Sequence, residues 1–293
     1  MSIAVIGVGG IGSAFGYQLA RAGHDVTLVA RPGSRRLGEI TKDQGIVLVT
    51  GERVTTRVSG ELDEQMPFDL VIVTTPYHQV EALIPALSRS QAACVHFMFN
   101  MFEPERLESD LGGRACSFGM PFLMARIRDG GKLDFTISSS RKTMHGDPRW
   151  VGLFNGAGIP SVFEGQMLLW LRCHAPFCIA FESISFTAQQ HGGGATWAQC
   201  LRVASGVRAA LSVVKGLGYR LYPREKAITY ASPAFLMATM LWSLSRVRAF
   251  RELLATGVNE CRALTDTIVA AAAGFAPTPS RDKLIKQIEL MKP

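Results

Sequence analysis

The chain has 293 residues, which is long for one hydrophobic core and suits two domains. Its composition, 47% hydrophobic and 19% charged, excludes an intrinsically disordered protein. The net charge of +7 comes from dispersed basic residues without interleaved aromatics, which favours an anionic small ligand over nucleic acid. No stretch reaches the roughly 20 uninterrupted apolar residues of a membrane span, and no basic leader opens the sequence. We therefore expect neither a membrane span nor a signal peptide.

The six cysteines are scattered without CxxC pairs, which predicts reduced thiols and a cytoplasmic protein. Cys173, His174 and Cys178 lie close together in the sequence, but no second ligand pair with zinc-like spacing accompanies them. We therefore expect no metal site.

A glycine-rich loop follows the first predicted strand directly. Strand Ile3–Ile6 leads into GVGGIG (residues 7–12), a helical pattern runs from Ser13 to Ala22, and a second strand covers Asp25–Ala30. In this strand–loop–helix–strand context a GxGxxG motif strongly indicates a dinucleotide site, although a turn without a ligand is the alternative.

The spacing gives each glycine of the motif a predicted task. Gly7 allows the tight turn, Gly9 lets the backbone approach a pyrophosphate, and Gly12 lets helix and strand pack closely. Free N–H groups at the helix start, where Gly10 and Ile11 lie, would bind the phosphates.

Arg31 directly follows the second strand, at the position where an NAD site usually carries an acid for the ribose hydroxyls. A guanidinium instead suits a 2′-phosphate, and Ser34, Arg35 and Arg36 follow closely. A solvated basic loop is the alternative. We predict NADP(H) as the cofactor, with Arg31 and Arg35 among its ligands.

Strands and helices continue to alternate after the glycine motif. We expect strands at 46–50, 70–74, 94–98, 114–118 and 133–138, and helices at 79–87 and 103–111. This alternation predicts an α/β, Rossmann-type, doubly wound sheet with ligands at the strand C-termini. Thr74 and Asn100 stand at two such ends and should line the cofactor cleft.

The second half of the chain has helical spacing throughout. We expect helices at 164–186, 195–217, 224–247, 249–274 and 280–291. The predicted domains are therefore 1–163 for the cofactor and 164–293 for the substrate, with the substrate bound between them.

Three parts of the sequence resemble the ketopantoate reductases, which are NADPH enzymes. They are IAVIGVGGIGSAFGYQLARAGHDVTLVAR (residues 3–31), VIVTTPYHQV (residues 71–80) and the strand end at Asn100, followed by the helical second half. The resemblance is specific at the N-terminus and thin after residue 100. It implies a Rossmann-type domain, an all-α domain like the C-terminal domain of 6-phosphogluconate dehydrogenase, and reduction of a carbonyl.

The resemblance also assigns residues in the cofactor half. It implies that Asn100 lies near the nicotinamide and the substrate, and that Gln79 contacts the cofactor. The family lysine in the same segment aligns with Pro76, so that contact is absent.

The substrate half departs from the family pattern. The family's catalytic lysine follows a tryptophan, and aligning Trp170 with it places Arg172 at the lysine position. The two family asparagines that follow become Pro176 and Ala180. No shift of the alignment supplies a lysine near Trp170.

The family's substrate-binding glutamate aligns with Gly257, and a family serine aligns near Ser245. Asn259 and Glu260 follow closely, and a small shift of the alignment would assign Glu260 to the role. We therefore take Arg172 with these three polar residues as substrate-binding candidates, and Arg172 with Asn100 as the catalytic ones.

Arg172 lies four residues before Pro176, whose ring crowds the Arg172 carbonyl and should kink the helix there. A guanidinium does not release a proton at neutral pH, but it can bind a carboxylate or stabilise negative charge on an oxygen. We expect Arg172 to face the nicotinamide and hold the substrate. The competing interpretation is a structural ion pair with Glu182, about three helical turns away.

Two functions follow from the sequence. The first is an NADPH-dependent reductase of a carbonyl or imine other than ketopantoate, with possible homodimerisation through the helical domain. The second is a catalytically inactive NADP(H)-binding sensor or partner protein. We favour the reductase, because the cofactor itself supplies the hydride and the protein needs mainly to position the substrate.

Overall fold

The computed structural model describes residues 1–138, 140–254 and 257–293, with side chains left undescribed at 252–254. These residues form two compact units. The first comprises Met1–Phe99 and Glu105–Met167, and the second comprises Asn100–Pro104 and Leu168–Pro293. The predicted domain boundary at residues 163 and 164 stays a prediction. The short segment that contains Asn100 packs with the helical unit.

The strands of the first unit form one large sheet and two hairpins. In the described residues they are β1 (Ser2–Ile6), β2 (Asp25–Val29), β3 (Gly45–Val47), β4 (Arg53–Thr55), β5 (Arg57–Ser59), β6 (Leu70–Val73), β7 (Val95–Met98), β8 (Cys116–Met120), β9 (Leu123–Ile127), β10 (Leu133–Ile137), β11 (Thr143–His145) and β12 (Ser161–Phe163). The large sheet has the order β12-β11-β8-β7-β6-β1-β2-β5. Its neighbours are parallel except β11 with β8. The predicted Rossmann-type sheet is confirmed.

Helices cover the sheet and follow its strands. They are α1 (Gly10–Arg21), α2 (Arg35–Lys42), α3 (Ile84–Arg89), α4 (Pro104–Asp110) and α5 (Pro148–Gly156). The core contains Ile3 and Val5 of β1, packed with Phe15 and Leu19 of α1. In the sheet, β2 and β6 lie on opposite sides of β1, so the strand order reverses its direction at β1. The carboxyl end of β1 is therefore the topological switch point at which such sheets bind ligands.

Two predicted elements of the first unit are wrong. The strand expected at 46–50 is the short β3, which pairs with β4 in a separate hairpin because the chain reverses at Gly51, where φ is +92°. The sheet position beside β2 belongs to β5 instead. The helix expected at 79–87 begins only at Ile84, after two 3₁₀ turns, because Pro85 cannot sit inside a helix that began several residues earlier.

The second unit is helical. In the described residues its helices are α6 (Met167–Gln190), α7 (Trp197–Gly216), α8 (Arg224–Ala231), α9 (Ala234–Leu244), α10 (Arg248–Leu254), α11 (Val258–Ala273) and α12 (Pro279–Glu289). The helix expected at 224–247 is broken at Pro233, which precedes α9. The helix expected at 249–274 comprises α10 and α11, and Ala255 and Thr256 between them lie outside the described residues.

Helix α6 is continuous through Pro176, and the kink predicted at Arg172 stays a prediction. Of the described helices, α6 alone is long and apolar enough to cross a bilayer, and 61% of its apolar window is buried inside the protein. The α8 and α9 pair also passes this test jointly but is bent by 110°. A buried core helix of a soluble protein has the same composition, so this is weak evidence for a membrane span.

A buried polar network lies between β7, β8, β11 and α5. His96 Nε2 lies 2.9 Å from His145 Nδ1, and the outer nitrogens meet Ser117 Oγ at 2.7 Å and Ser161 Oγ at 3.2 Å. Trp150 Nε1 also donates to Ser117 Oγ, at 2.9 Å. Burial lowers the pKa of both imidazoles, that of His145 to about 3, so the pair is neutral at pH 7.

Candidate functional site

The glycine loop after β1 is held by a threonine at the end of β6. Gly7 has φ of +91°, and a Cβ there would lie 2.7 Å from Thr75 N. A Cβ on Gly12 would overlap the Gly7 carbonyl oxygen and approach Thr74 Oγ1 to 2.5 Å. Thr74 Oγ1 donates to that carbonyl at 2.6 Å. Gly7 and Gly12 are therefore required by the loop itself, and Thr74 is a residue that holds the loop.

The two remaining glycines face different surroundings. A Cβ on Gly9 would meet nothing within 4 Å, and no side chain caps the first turn of α1. The N–H groups from Gly10 and Ile11 onward are therefore available to a phosphate. A Cβ on Gly10 would overlap the backbone carbonyl of Ala125 on β9. The open face at Gly9 and the uncapped helix start fit a dinucleotide pyrophosphate.

Arg36 has a structural role, unlike the other arginines of the basic loop. Its Nε donates to the Val8 carbonyl at 3.0 Å, and its two terminal nitrogens donate to the Gly131 carbonyl at 2.8 Å and to Ser13 Oγ at 3.0 Å. Burial lowers its pKa, while Glu39 opposes that shift. Arg36 thus fastens α2 to the glycine loop.

Arg31 and Arg35 are the exposed arginines of that loop. Arg31 lies two residues beyond β2, and the Arg35 side chain is 78% exposed while paired with Glu39 at 2.7 Å. Ser34 caps α2 by accepting from Leu37 N at 3.2 Å. Both guanidinium groups are accessible to a phosphate from solvent, whereas the Ser34 hydroxyl is engaged in the cap.

Gln79 ends the 3₁₀ turn Tyr77–Gln79 on the exposed side of the first unit. Its Nε2 lies 3.3 Å from His78 Nε2. Its predicted contact with the cofactor stays a prediction.

Asn100 is the centre of a polar cluster in the second unit. Its Oδ1 accepts from Cys178 Sγ of α6 at 2.9 Å, and its side chain hydrogen-bonds the Glu260 carboxylate in the first turn of α11. Glu182, one turn beyond Cys178 on α6, is the charged neighbour of Glu260. We call Asn100, Cys178, Glu182 and Glu260 the carboxyl cluster.

Burial changes the proton affinity of the whole carboxyl cluster. It raises the pKa of Glu260 to about 7, against a smaller opposing effect of the Asn100 hydrogen bond. It raises the pKa of Glu182 well above the ordinary value, and repulsion by Glu260 adds to that shift. The Cys178 thiol also has a strongly raised pKa, first from burial and then from Glu182. The thiol is therefore a neutral donor, and the protonated form of both acids is favoured relative to a carboxyl group in water, with Glu260 losing its proton near pH 7.

Gly257 explains how Glu182 fits into the carboxyl cluster. A Cβ on Gly257 would lie 2.7 Å from Glu182 Oε2 and 3.0 Å from its Cδ. The Glu182 carboxyl group therefore occupies the space beside the residue that aligns with the family's substrate glutamate. Glu182 Oε2 is buried and has no hydrogen-bond partner among the described residues.

Arg172 lies on another face of α6. At 100° per residue it projects about 120° away from Cys178 around the helix. Its guanidinium carbon lies 4.0 Å from the centre of the Tyr219 ring, and the residue is 3% exposed. The competing ion pair of Arg172 with Glu182 stays a prediction, and Glu260 is the charged group that acts on the Glu182 carboxylate. The predicted role of Arg172 at the nicotinamide stays a prediction.

The structure supplies a lysine near Trp170 that the alignment did not. Lys226 of α8 is 9% exposed, its Nζ donates to the Trp170 carbonyl at 3.2 Å, and it lies 4.2 Å from the Trp170 ring centre. The His174 ring also packs against the Trp170 ring, with 4.2 Å between the two ring centres.

The other candidate substrate-binding residues differ in their exposure to solvent. Ser245 is fully buried, with its Oγ accepting from Ala195 N at 3.1 Å and donating to the Trp242 carbonyl at 2.7 Å. Its role is therefore to tie α9 to the segment before α7, and its hydroxyl is not presented to a substrate. Asn259 is exposed, whereas Glu260 lies in the carboxyl cluster.

Sequence reasoning missed Glu182, Cys178 and Lys226 as members of polar sites. One signal was present for Glu182, since it is an acid in a helix whose other residues are largely apolar. Nothing in the sequence indicated that its carboxyl group fills the space beside Gly257, because 75 residues separate the two positions.

The chain is similar to known proteins in sequence and in structure. Residues 3–143 match the family model described as ketopantoate reductase PanE/ApbA. A 2-dehydropantoate 2-reductase of Pyrococcus abyssi (strain GE5 / Orsay) is 33% identical over 183 residues, which are 60% of each chain. The matched segment thus spans about three fifths of the length of that curated relative.

Two solved structures share the fold along their whole length. A PanE/ApbA family ketopantoate reductase from Ralstonia eutropha JMP134 has a TM-score of 0.73 at 19% identity, covering 100% of this chain and 98% of the other. D-mandelate dehydrogenase with NADH and anilino(oxo)acetate has a TM-score of 0.66 at 14% identity, with the same coverage. These likenesses confirm the predicted combination of a Rossmann-type domain with a helical domain.

Proposed function

We propose that this chain, whose residues 3–143 match the ketopantoate reductase family model, is an NADPH-dependent oxidoreductase that reduces a carbonyl or imine. The observation that carries this proposal is the glycine loop, where an open face at Gly9 adjoins the uncapped start of α1. When bound, the nicotinamide cofactor supplies the hydride. The loop N–H groups would bind its pyrophosphate.

The preference for NADPH over NADH rests on Arg31 and Arg35. Both are exposed, and no carboxylate stands at the end of β2 to hold the ribose hydroxyls. A 2′-phosphate would compete with Glu39 for Arg35 and would gain a second cation at Arg31. The NADH in the D-mandelate dehydrogenase structure makes this preference a point to measure.

We propose that the substrate differs from ketopantoate. Arg172 stands where the family carries its catalytic lysine, and Gly257 stands where it carries its substrate glutamate. A site that hydrogen-bonds its substrate loses several kcal/mol when those groups change, roughly the size of charge-assisted hydrogen bonds. D-mandelate dehydrogenase shows the same fold in a protein with another named substrate class.

The test is a screen of NADPH oxidation against 2-oxo acids, β-keto acids and imines, with ketopantoate included. Turnover of one class at rates on the order of 1–10³ per second would support the reductase. Turnover of ketopantoate at such rates would contradict the proposed change of substrate. Tight NADPH binding with no turnover of any class would favour the inactive sensor instead.

The cytoplasmic location and the homodimer stay predictions. The six cysteines are free, which supports a reducing compartment. Exposed apolar side chains on α8 and α9, Ile228, Phe235 and Leu236, support association through the helical unit. Analytical ultracentrifugation of the purified protein would decide the oligomeric state.

A further inference from the structure

A cavity lies within the second unit, among helices α7, α8, α9 and α12. Its volume is about 230 Å³, and we call it the α7 cavity. The lining residues from α7 are Ser205, Arg208, Ala209 and Ser212. They follow the i, i+3, i+4, i+7 spacing of one helix face, so a single face of α7 forms one wall of the cavity.

The other walls come from three helices. Tyr230 stands near the end of α8, Ala234 is the first residue of α9, and Leu284 and Gln287 lie one turn apart on α12. Sites for drug-sized ligands have volumes of roughly 300–1,000 Å³, so the α7 cavity suits a molecule much smaller than a dinucleotide. Arg208, Tyr230 and Gln287 are each partly exposed, so solvent reaches these polar groups.

The serine hydroxyls of the α7 cavity have their protons engaged, whereas the Tyr230 hydroxyl does not. Ser205 Oγ donates to the Leu201 carbonyl at 2.9 Å, and Ser212 Oγ donates to the Arg208 carbonyl at 3.0 Å. Ser212 Oγ also lies 3.3 Å from the Tyr230 hydroxyl oxygen. Since a hydroxyl has one proton, that of Ser212 serves the shorter bond, and the Tyr230 proton is available to Ser212 or to a ligand.

Arg208 and Gln287 supply the remaining donors. Neither side chain has a hydrogen-bond or ion-pair partner among the described residues. A guanidinium has five N–H donors and no acceptor, and a glutamine amide has two donors. No Asp or Glu is among the described residues that line the cavity, so the charge of Arg208 is not balanced there. Lys215 adds a second cation nearby, with its Nζ 5.0 Å from the centre of the Tyr230 ring.

We propose that the α7 cavity binds a small oxyanion, which is a carboxylate or phosphate group on a short carbon chain. Arg208 would pair with the oxyanion through its guanidinium fork, and the Tyr230 hydroxyl and the Gln287 amide would donate to the same oxygens. Ala234 and Leu284 provide apolar surface for the carbon chain. This site does not depend on the proposed reduction, because all its lining residues belong to the second unit and none belongs to the carboxyl cluster.

The competing interpretation is an ordinary cleft in which a solvated arginine faces water. In that case any arginine of α7 should affect anion binding equally, through its charge alone. Arg202 is the matched comparison, because it is an exposed arginine of the same helix and does not line the cavity. It precedes Arg208 by six residues, which places the two side chains about 120° apart around the helix.

Hydrogen exchange of the whole protein, read by mass spectrometry, tests the site. Inorganic phosphate and butyrate are titrated separately, and sodium chloride keeps the ionic strength constant. A bound probe should slow exchange in the segments around Tyr230 and residues 284–287, and this protection should saturate. Phosphate that binds at the glycine loop would protect residues 7–12 instead. The probe that saturates at the lower concentration identifies the preferred head group.

Three variants make the test specific to the α7 cavity. Arg208→Gln should raise the half-saturating probe concentration about tenfold or more, because it removes a charge-assisted pairing. Ala234→Leu, which fills the cavity while keeping Arg208, should also weaken binding, whereas Arg202→Gln should leave it unchanged. No saturable protection by either probe up to about 10 mM, a weak affinity for a specific site, would overturn the proposal. Equal affinities of wild type and Arg208→Gln, or equal losses in the two arginine variants, would overturn it as well.

Discussion

The glycine loop and the carboxyl cluster differ in what positions their chemistry. The loop acts through backbone N–H groups, and its requirements are local: close contacts between Gly7, Gly12 and Thr74, and an open face at Gly9. The cluster acts through side chains from Asn100, α6 and α11, which lie far apart in the sequence. A site built from backbone groups can be recognised in the sequence by a short motif. A site built from side chains that are distant in the sequence has almost no such motif.

The two units should also respond to pH in opposite directions, and acid gives the largest expected effect. His96 and His145 are buried as neutral rings, so the unfolded chain binds more protons below its histidine pKa of about 6.5. The free energy of unfolding should fall by up to about 1.4 kcal/mol per pH unit per histidine as the pH drops from about 6.5 toward 3.

Urea unfolding at several pH values would measure this slope. His145→Asn should reduce it while the amide keeps hydrogen bonds, and His191→Asn, at an exposed position, should leave it unchanged. An identical slope in wild type and His145→Asn would contradict the assignment.

The carboxyl cluster should produce the opposite slope at higher pH. The native pKa of Glu260 is raised to about 7, so the stabilising effect of protonation is complete below the unfolded value and is lost as the pH rises toward 7. Wild-type stability should therefore fall across that window, by at most about 1.4 kcal/mol per pH unit per acid.

Glu260→Gln should remove the dependence, because an amide cannot ionise, and Glu225→Gln should retain it. Hydrogen exchange read separately in α11 and β7 would assign each slope to its unit. The same pH dependence of stability in both elements would contradict the predicted difference between the two units.

A Cβ at Gly12 should disrupt the loop. Gly12→Ala places a methyl group against the Gly7 carbonyl and Thr74 Oγ1, and overpacking of this kind costs about 1–3 kcal/mol. Gly9→Ala, which meets nothing within 4 Å, should fold normally and bind NADPH more weakly. Thermal unfolding and fluorescence titration would separate the two effects. Equal melting temperatures for the two variants would contradict the described packing.

The smallest expected effect concerns cofactor choice. We predict that NADPH binds at least about tenfold more tightly than NADH, because Arg31 and Arg35 can meet a 2′-phosphate. Arg31→Ala should remove most of that ratio, whereas Arg57→Ala, an exposed arginine paired with Asp25, should not. Equal wild-type affinities for the two cofactors would contradict the prediction.

The sequence predicted the sheet, the glycine loop and the helical second half because each has a local pattern. It failed where a tertiary contact decides the role. Arg36 and Arg31 look alike in the sequence, yet one is fastened to Val8 and the other is exposed. Ser245 aligned near a substrate residue but serves as a buried link to Ala195. No residue pattern distinguishes these outcomes.

The contact between Glu182 and Gly257 has a consequence for how such a chain can change over time. The space beside position 257 holds one carboxyl group, and Glu182 already occupies it. A side chain introduced at 257 would meet the outer end of the Glu182 side chain, which would have to turn away to admit it. Substitutions at positions 182 and 257 should therefore not be additive, and which residue one position accepts should depend on the residue at the other.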